Sequence, residues 1–89
     1  LAVEQAASLA AERARLALES LSPLQRAAEA SRANAAQAEA RFKGGLGTSL
    51  ELADAEALRT EAEIAVVLGT YEAVVARAAL DRVMARETR

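Results

Sequence analysis

Two carboxylates three residues apart, Glu51 and Asp54, follow the densest run of small residues in the 89-residue chain, Gly44-Gly45-Leu46-Gly47-Thr48. At that spacing they share one face of a helix. Acid–base chemistry by paired carboxylates needs a pocket to set their protonation. Pairs such as Glu61 and Glu63 abound here, and on open helix faces they are solvated charges. The chain holds no Cys and no His. That removes disulfides, thiolate and imidazole metal sites, Cys nucleophiles and Ser-His-Asp arrangements. Eleven basic against thirteen acidic residues leave a net charge of −2 with both signs interspersed. No basic stripe exists to release counterions from a nucleic acid. We expect no enzyme, no cofactor, no metal and no nucleic-acid partner; what remains is work by shape and charge.

The elements that must carry these residues follow from composition. Ala occupies 25 positions, Phe42 and Tyr71 are the only aromatics, and Leu, Glu and Arg make up much of the rest. These are strong helix formers with little rotamer freedom to lose. Glycine clusters only mid-chain, which predicts an all-α fold: a long antiparallel αα-hairpin of coiled-coil type. The first arm is expected over about 2–43, the turn over 44–48 and the second arm over about 49–87. Gly44 or Gly45 is expected to take the left-handed conformation that closes a helix, with Arg41 and Lys43 near its negative end. Thr48-Ser49-Leu50-Glu51 reads as a capping box, with Thr48 as N-cap and Glu51 reaching back. These are also the simplest roles for Glu51 and, as a charge near a helix N-terminus, for Asp54. Pro23 follows Ser22 and could start a new helix. The apolar register runs past it unbroken, so we expect a kinked but continuous arm. Gly69 weakens the second arm and is expected to mark a close helix crossing.

Each arm should be about 55–60 Å long at 1.5 Å per residue. In the first, Val3, Ala7, Ala10, Ala14, Ala17, Leu21, Leu24, Ala28, Ser31, Ala35, Ala38 and Phe42 alternate steps of four and three, and all but Ser31 are apolar. In the second, Leu50, Ala53, Ala57, Thr60, Ile64, Val67, Tyr71, Val74, Ala78, Asp81 and Ala85 repeat the pattern, with Thr60 and Asp81 as exceptions. A 3.5-residue period implies left-handed supercoiling, and we expect these two lines to face each other. A second, weaker stripe runs through Ala2, Ala6, Leu9 and Leu16, and through Leu58, Ala62, Ala65, Leu68, Ala76, Leu80 and Val83. A two-helix hairpin buries one stripe per arm, so two stripes predict lateral packing into a larger helical bundle or barrel. The longest unbroken apolar run, Ile64-Ala65-Val66-Val67-Leu68, is far below the ~18 residues of a spanning helix. A start at Leu1 rather than Met suggests an excerpt of something longer.

The segment Arg41-Phe42-Lys43-Gly44-Gly45-Leu46-Gly47-Thr48-Ser49-Leu50-Glu51-Leu52-Ala53-Asp54-Ala55-Glu56 resembles the signature of TolC-type outer membrane efflux proteins. That family has an Arg-Tyr pair three residues before a Gly, then a small-polar, Leu-rich stretch and an acidic-x-Leu-Asp-Ala run. Ala62-Glu63, Tyr71 and Ala76-Arg77-Ala78-Ala79-Leu80 also fit its closing helix, and Pro23 stands where its metal- and drug-efflux branches often carry a proline. The likeness covers roughly residues 20–82 and is densest over 41–56. Departures are Phe42 for the Tyr, Ala53 for the Leu of the Leu-Asp-Ala run, and no Arg at Gly47 or Ser49.

The resemblance implies a fragment of a homotrimeric channel in the cell outer membrane, this hairpin lying in the periplasm and outside the bilayer. Such channels are passive exit ducts of tripartite pumps and type I secretion systems. Gly44, Gly45, Leu46, Gly47 and Thr48 would form the tip that docks a periplasmic adaptor (membrane fusion) protein and, through it, an inner-membrane pump. Glu51 and Asp54 match positions whose carboxylates ring the tunnel entrance. Two other readings fit the same residues: the helical hairpin of an adaptor protein, and a structural coiled-coil hairpin with no transport role.

Overall fold

The computed structural model describes residues 2–87. It is an all-α, two-helix antiparallel hairpin: α1 spans Ala2–Lys43 and α2 spans Ser49–Glu87. Pro23 lies inside α1, which runs on through it. The proline ring gives the Glu19 carbonyl no N–H to accept, a defect of about 3 kcal/mol that side-chain packing must offset.

The helices form two compact units, the first from Leu1–Ser22 with Leu68–Arg89, the second from Pro23–Val67. In the first unit the covered residues of α1 are Ala7, Ala10, Ala14, Ala17 and Leu21. In the second they are Leu24, Ala28, Ser31, Ala35 and Ala38. Every one belongs to the line expected from sequence. Val3 and Phe42, at the two ends of that line, are exposed.

The second helix corrects the expectation. Leu50, Ala53, Ala57, Thr60, Ile64 and Val67 are all exposed in the second unit, and Tyr71, Val74, Ala78, Asp81 and Ala85 in the first. Most of the covered residues form a different line at the same three-four spacing, with Glu56, Glu63, Ala65 and Ala79 half-buried beside it. In the second unit it holds Leu52, Ala55, Arg59, Ala62 and Val66; in the first, Gly69, Ala73, Ala76, Leu80 and Val83. The reason lies in the partner surface. The α1 line is mostly alanine, and alanine contributes contact only when backbones approach closely. Around Gly69, Ala73 and Ala76 the covered line is the smaller one and permits that approach, which Ile64, Val67, Tyr71 and Val74 would not; from Leu52 to Val66 the two lines are of similar bulk. Gly69, buried in the first unit, fits the same logic. Among the described residues the buried apolar side chains are all alanines: Ala10, Ala14, Ala28, Ala35, Ala55 and Ala73.

Candidate functional site: the turn and its flanking helix ends

The turn is built from the last residues of α1 outward. Gly45 has φ +77°, a conformation that a Cβ disfavours. The Leu46 N–H donates to the Arg41 carbonyl at 2.8 Å and the Gly45 N–H to the Phe42 carbonyl at 3.1 Å. This pair of bonds is the Schellman closure, with Gly45 as the left-handed residue. The Gly47 N–H also donates to the Arg41 carbonyl, at 3.1 Å. On the same residue, the guanidinium Nη2 donates to the Leu46 carbonyl at 3.2 Å. Arg41 thus grips the turn from both its main chain and its side chain.

The start of α2 closes the other side. The Glu51 N–H donates to Thr48 Oγ1 at 3.1 Å, and the Thr48 N–H donates back to Glu51 Oε2 at 3.4 Å. The capping box read from Thr48 and Glu51 is therefore present. The Leu52 N–H donates to the Thr48 carbonyl at 3.2 Å, the first bond of the helix. Gly47 is enclosed between the two ends. A Cβ there would lie 3.1 Å from Glu51 Oε2 and 3.2 Å from Arg41 Cβ. A Cβ at Gly44 would lie 3.3 Å from the Ala40 carbonyl oxygen, whereas one at Gly45 would meet open space.

Leu46 is left outside all of this, with 74% of its surface exposed. A Schellman turn usually packs its corresponding residue on an apolar side chain of the preceding helix. Here those helix positions are Arg41 and Ala40, and they leave most of Leu46 exposed. Phe42 and Leu50 are exposed as well.

Glu51 and Asp54 line one groove of about 320 Å³ together with Asn34, Gln37, Arg41 and Leu58. The carboxylates and the Arg41 guanidinium thus share one opening beside the turn. Asp54 is exposed, and Glu51 is engaged by its cap. Among the described residues no group of three or more His, Cys, Asp or Glu is placed to hold a metal ion. Charge pairs flank the site: Lys43 Nζ lies 2.9 Å from Glu39 Oε1, and holds that carboxyl below the usual carboxylate range chiefly by hydrogen bonding. In the other unit Glu12 bonds Arg15 and is likewise lowered, its Arg15 hydrogen bond being the main cause.

Sequence reasoning placed Arg41 near the helix dipole but missed its bond to Leu46, because a five-residue reach around a turn has no periodic signature. It also missed Arg59, a charged residue on the inner line of α2. Its neighbours Glu56 and Glu63, one turn away on each side, are the signal that would have marked a partly covered cation.

Outside the turn, the first unit carries an apolar groove of about 490 Å³ between Leu18, Leu21, Ala73, Val74 and Ala78, rimmed by the 3.2 Å pair of Arg77 and Asp81. Among the described residues no helix is long and apolar enough to cross a membrane. Comparison of the chain with family models, curated proteins and solved structures gave no match.

Proposed function

We propose that the chain is a periplasmic helical hairpin of a TolC-type outer membrane efflux or secretion channel. In this reading it is one stave of a trimeric duct wall and its turn docks an adaptor protein that leads to an inner-membrane pump. The observation that carries the reading is the division of α2 into two apolar lines. In each unit one line is covered by α1, while a second, which holds Ile64, Val67, Tyr71 and Val74, repeats at heptad spacing and is exposed. Val67 and Tyr71 are 68% and 67% exposed. Side chains of that size contribute about 1.5–3 kcal/mol each when removed from water, and a line of them suits a neighbouring helix.

The turn supports the docking half of the proposal. It is held at Arg41, Thr48 and Glu51, and it projects one free apolar side chain, Leu46. Glu51 and Asp54, repeated about a threefold axis, would make a negative constriction that favours cations. The function is passive, exerted through shape and charge without a catalytic step.

Two measurements test the proposal. Sedimentation of the 89-residue chain should show association at micromolar concentration, weakened by Val67→Asp and Tyr71→Asp while helicity is kept. In the parent channel, Leu46→Asp should abolish efflux with trimer assembly intact. A chain that stays monomeric, or efflux that survives Leu46→Asp, overturns the corresponding half. A chain that associates while its parent transports nothing is the structural coiled coil instead.

A further inference from the structure

The exposed line of α2 is bordered by charged residues along both edges, and their signs are ordered along the helix. In the second unit the edges carry Asp54 and Glu61 on one side, Glu56 and Glu63 on the other. In the first unit the same two edges carry Arg82 and Arg77. From Ser49 to Val67 five of the six charged residues are acidic, and from Ala73 to Arg86 three of the four are basic. Asp81 is the single charge on the line itself. Edge charges of this kind set which partner a helix takes and which way that partner runs.

We infer that the line is covered by a second copy of this chain, α2 against α2 in antiparallel sense, so that the second unit of each copy lies on the first unit of the other. In parallel, heptad geometry would set Glu56 against Glu61 and Arg77 against Arg82, each twice, and would stack the two Asp81 carboxylates in one layer. Every contact between charges would then be repulsive. In the antiparallel pair Val67 layers on Tyr71 of the second copy and Ile64 on Val74. The edges then bring Glu63 to Arg77 and Asp54 to Arg82, and twofold symmetry makes each contact occur twice. Asp81 lies over the small Ala57. Sliding one helix by a heptad in either direction keeps only one kind of opposite-charge pair and sets Asp81 against Leu50 or Ile64. Charge order therefore selects both the direction and the register.

The surfaces are open to such a partner. The groove of about 490 Å³ in the first unit, lined by Leu18, Leu21, Val74 and Ala78, receives Thr60 and Ile64 of the second copy. In the second unit Glu63 comes no closer than 3.8 Å to Arg32 and to Arg59, so its carboxylate can still accept strong bonds. Arg77 holds Asp81 through Nε at 3.2 Å, and a guanidinium has further donors for Glu63. This pairing concerns the 89-residue chain by itself. It goes beyond the duct reading, whose threefold symmetry points every turn the same way, and does not rest on it.

Sedimentation equilibrium at low salt compares Asp54→Arg with Glu63→Arg in one chain, Arg77→Glu with Arg82→Glu in another, and their equimolar mixture. Each variant alone sets like charges at all four edge contacts and should self-associate roughly tenfold more weakly, or worse. The mixture restores opposite charges at every contact and should associate about as well as the unsubstituted chain. Circular dichroism checks that each variant keeps its helices. The chain has no Cys, so introduced thiols read the direction independently of the charges. Ile64→Cys mixed with Val74→Cys should oxidise to the mixed disulfide. Neither should link to itself, its two copies lying about 15 Å apart along the helix. A mixture that associates no better than its components, or Ile64→Cys chains that link to one another, overturns the antiparallel pairing and leaves the duct reading as it was. A chain that stays monomeric at micromolar concentration overturns the pairing together with the association expected of a stave.

Discussion

Glu63 reaches across the second unit to Arg32: its Oε1 lies 3.8 Å from Arg32 Nε on α1 and 3.8 Å from Arg59 Nε on its own helix. Both distances exceed hydrogen-bonding range, and all three side chains are about half exposed. Arg59 sits on the inner line, and its Nε is covered without a hydrogen bond. Its Nη2 pairs instead with Glu56 Oε2 at 2.9 Å.

An exposed cross-helix pair of this kind contributes at most ~1 kcal/mol and is screened by salt. Glu63→Gln should lower stability by no more than that, with the difference gone in molar NaCl. Arg59→Met keeps the packing stem and removes the uncompensated Nε, so it should be neutral or about 1 kcal/mol stabilising. Thermal melts of both variants at low and high salt check this. A loss above ~2 kcal/mol for Arg59→Met would mean that the charges fix the pairing of the helices.

The cap at Thr48 and Glu51 allows two roles of one carboxylate to be separated. Thr48→Ala should cost about 1 kcal/mol. Glu51→Gln should cost less, because an amide oxygen still accepts the Thr48 N–H. The charge, however, is gone. Under the channel reading proposed above, Glu51→Gln with Asp54→Asn should therefore weaken block by trivalent cations while leaving the fold intact. An unchanged block in single-channel recordings would leave Glu51 as a cap and nothing more.

The turn glycines should respond unequally. Gly45→Ala forces a Cβ into the left-handed region and should cost about 1 kcal/mol, and Gly45→Asn less. Gly47→Ala should cost a similar amount for a different reason, contact with Arg41 Cβ and Glu51 Oε2. Truncating Glu51 to Ala in the Gly47→Ala background should recover part of that loss, whereas it should recover nothing in Gly45→Ala. Chemical unfolding of these four chains, with the unsubstituted chain and Glu51→Ala alone as the shared corners of the two cycles, measures both couplings. Equal behaviour of the two positions would contradict the enclosed geometry of Gly47.

Acid should loosen two specific ion pairs. Glu12 and Glu39 are held below the ordinary carboxylate range by Arg15 and Lys43, respectively, chiefly through hydrogen bonds. A carboxyl lowered in the folded chain contributes stability that is present above its unfolded pKa and lost as pH falls through the folded one. Both lie on open helix surface, so the thermodynamic effect is small and the titration itself is the better readout. Carboxyl carbon resonances should show Glu12 titrating at lower pH than it does in an Arg15→Ala chain, and Glu39 lower than in Lys43→Ala. Coincident midpoints would show that these pairs do not persist in solution.

The heptad line of α1 was legible because it runs nearly the whole length of that helix, whereas the second stripe there is confined to Ala2, Ala6, Leu9 and Leu16. From Ala7 to Ala38 every covered residue lies on it. The capping box was legible for a similar reason, since Thr48 and Glu51 need only their local spacing. The α2 line was not, because that helix offers two apolar lines and bulk is a misleading guide to which is covered. The covered line mixes small residues such as Ala55, Ala62 and Ala73 with larger ones such as Leu52, Val66 and Leu80, while Ile64 and Val67 are exposed. That choice belongs to the fit between two surfaces and is absent from either helix alone. Arg41 escaped for the converse reason: its reach to Leu46 depends on a turn geometry that the residue types around it permit without specifying.

The outward line has a practical corollary at Tyr71. It is the chain's single phenol, there is no Trp, and it stands on the face that each hairpin leaves bare. Ultraviolet emission excited at wavelengths longer than the absorption of Phe42 therefore originates from one ring at one place. Its accessibility to a dissolved quencher would track, copy by copy, how much of that face has been taken up by a neighbour.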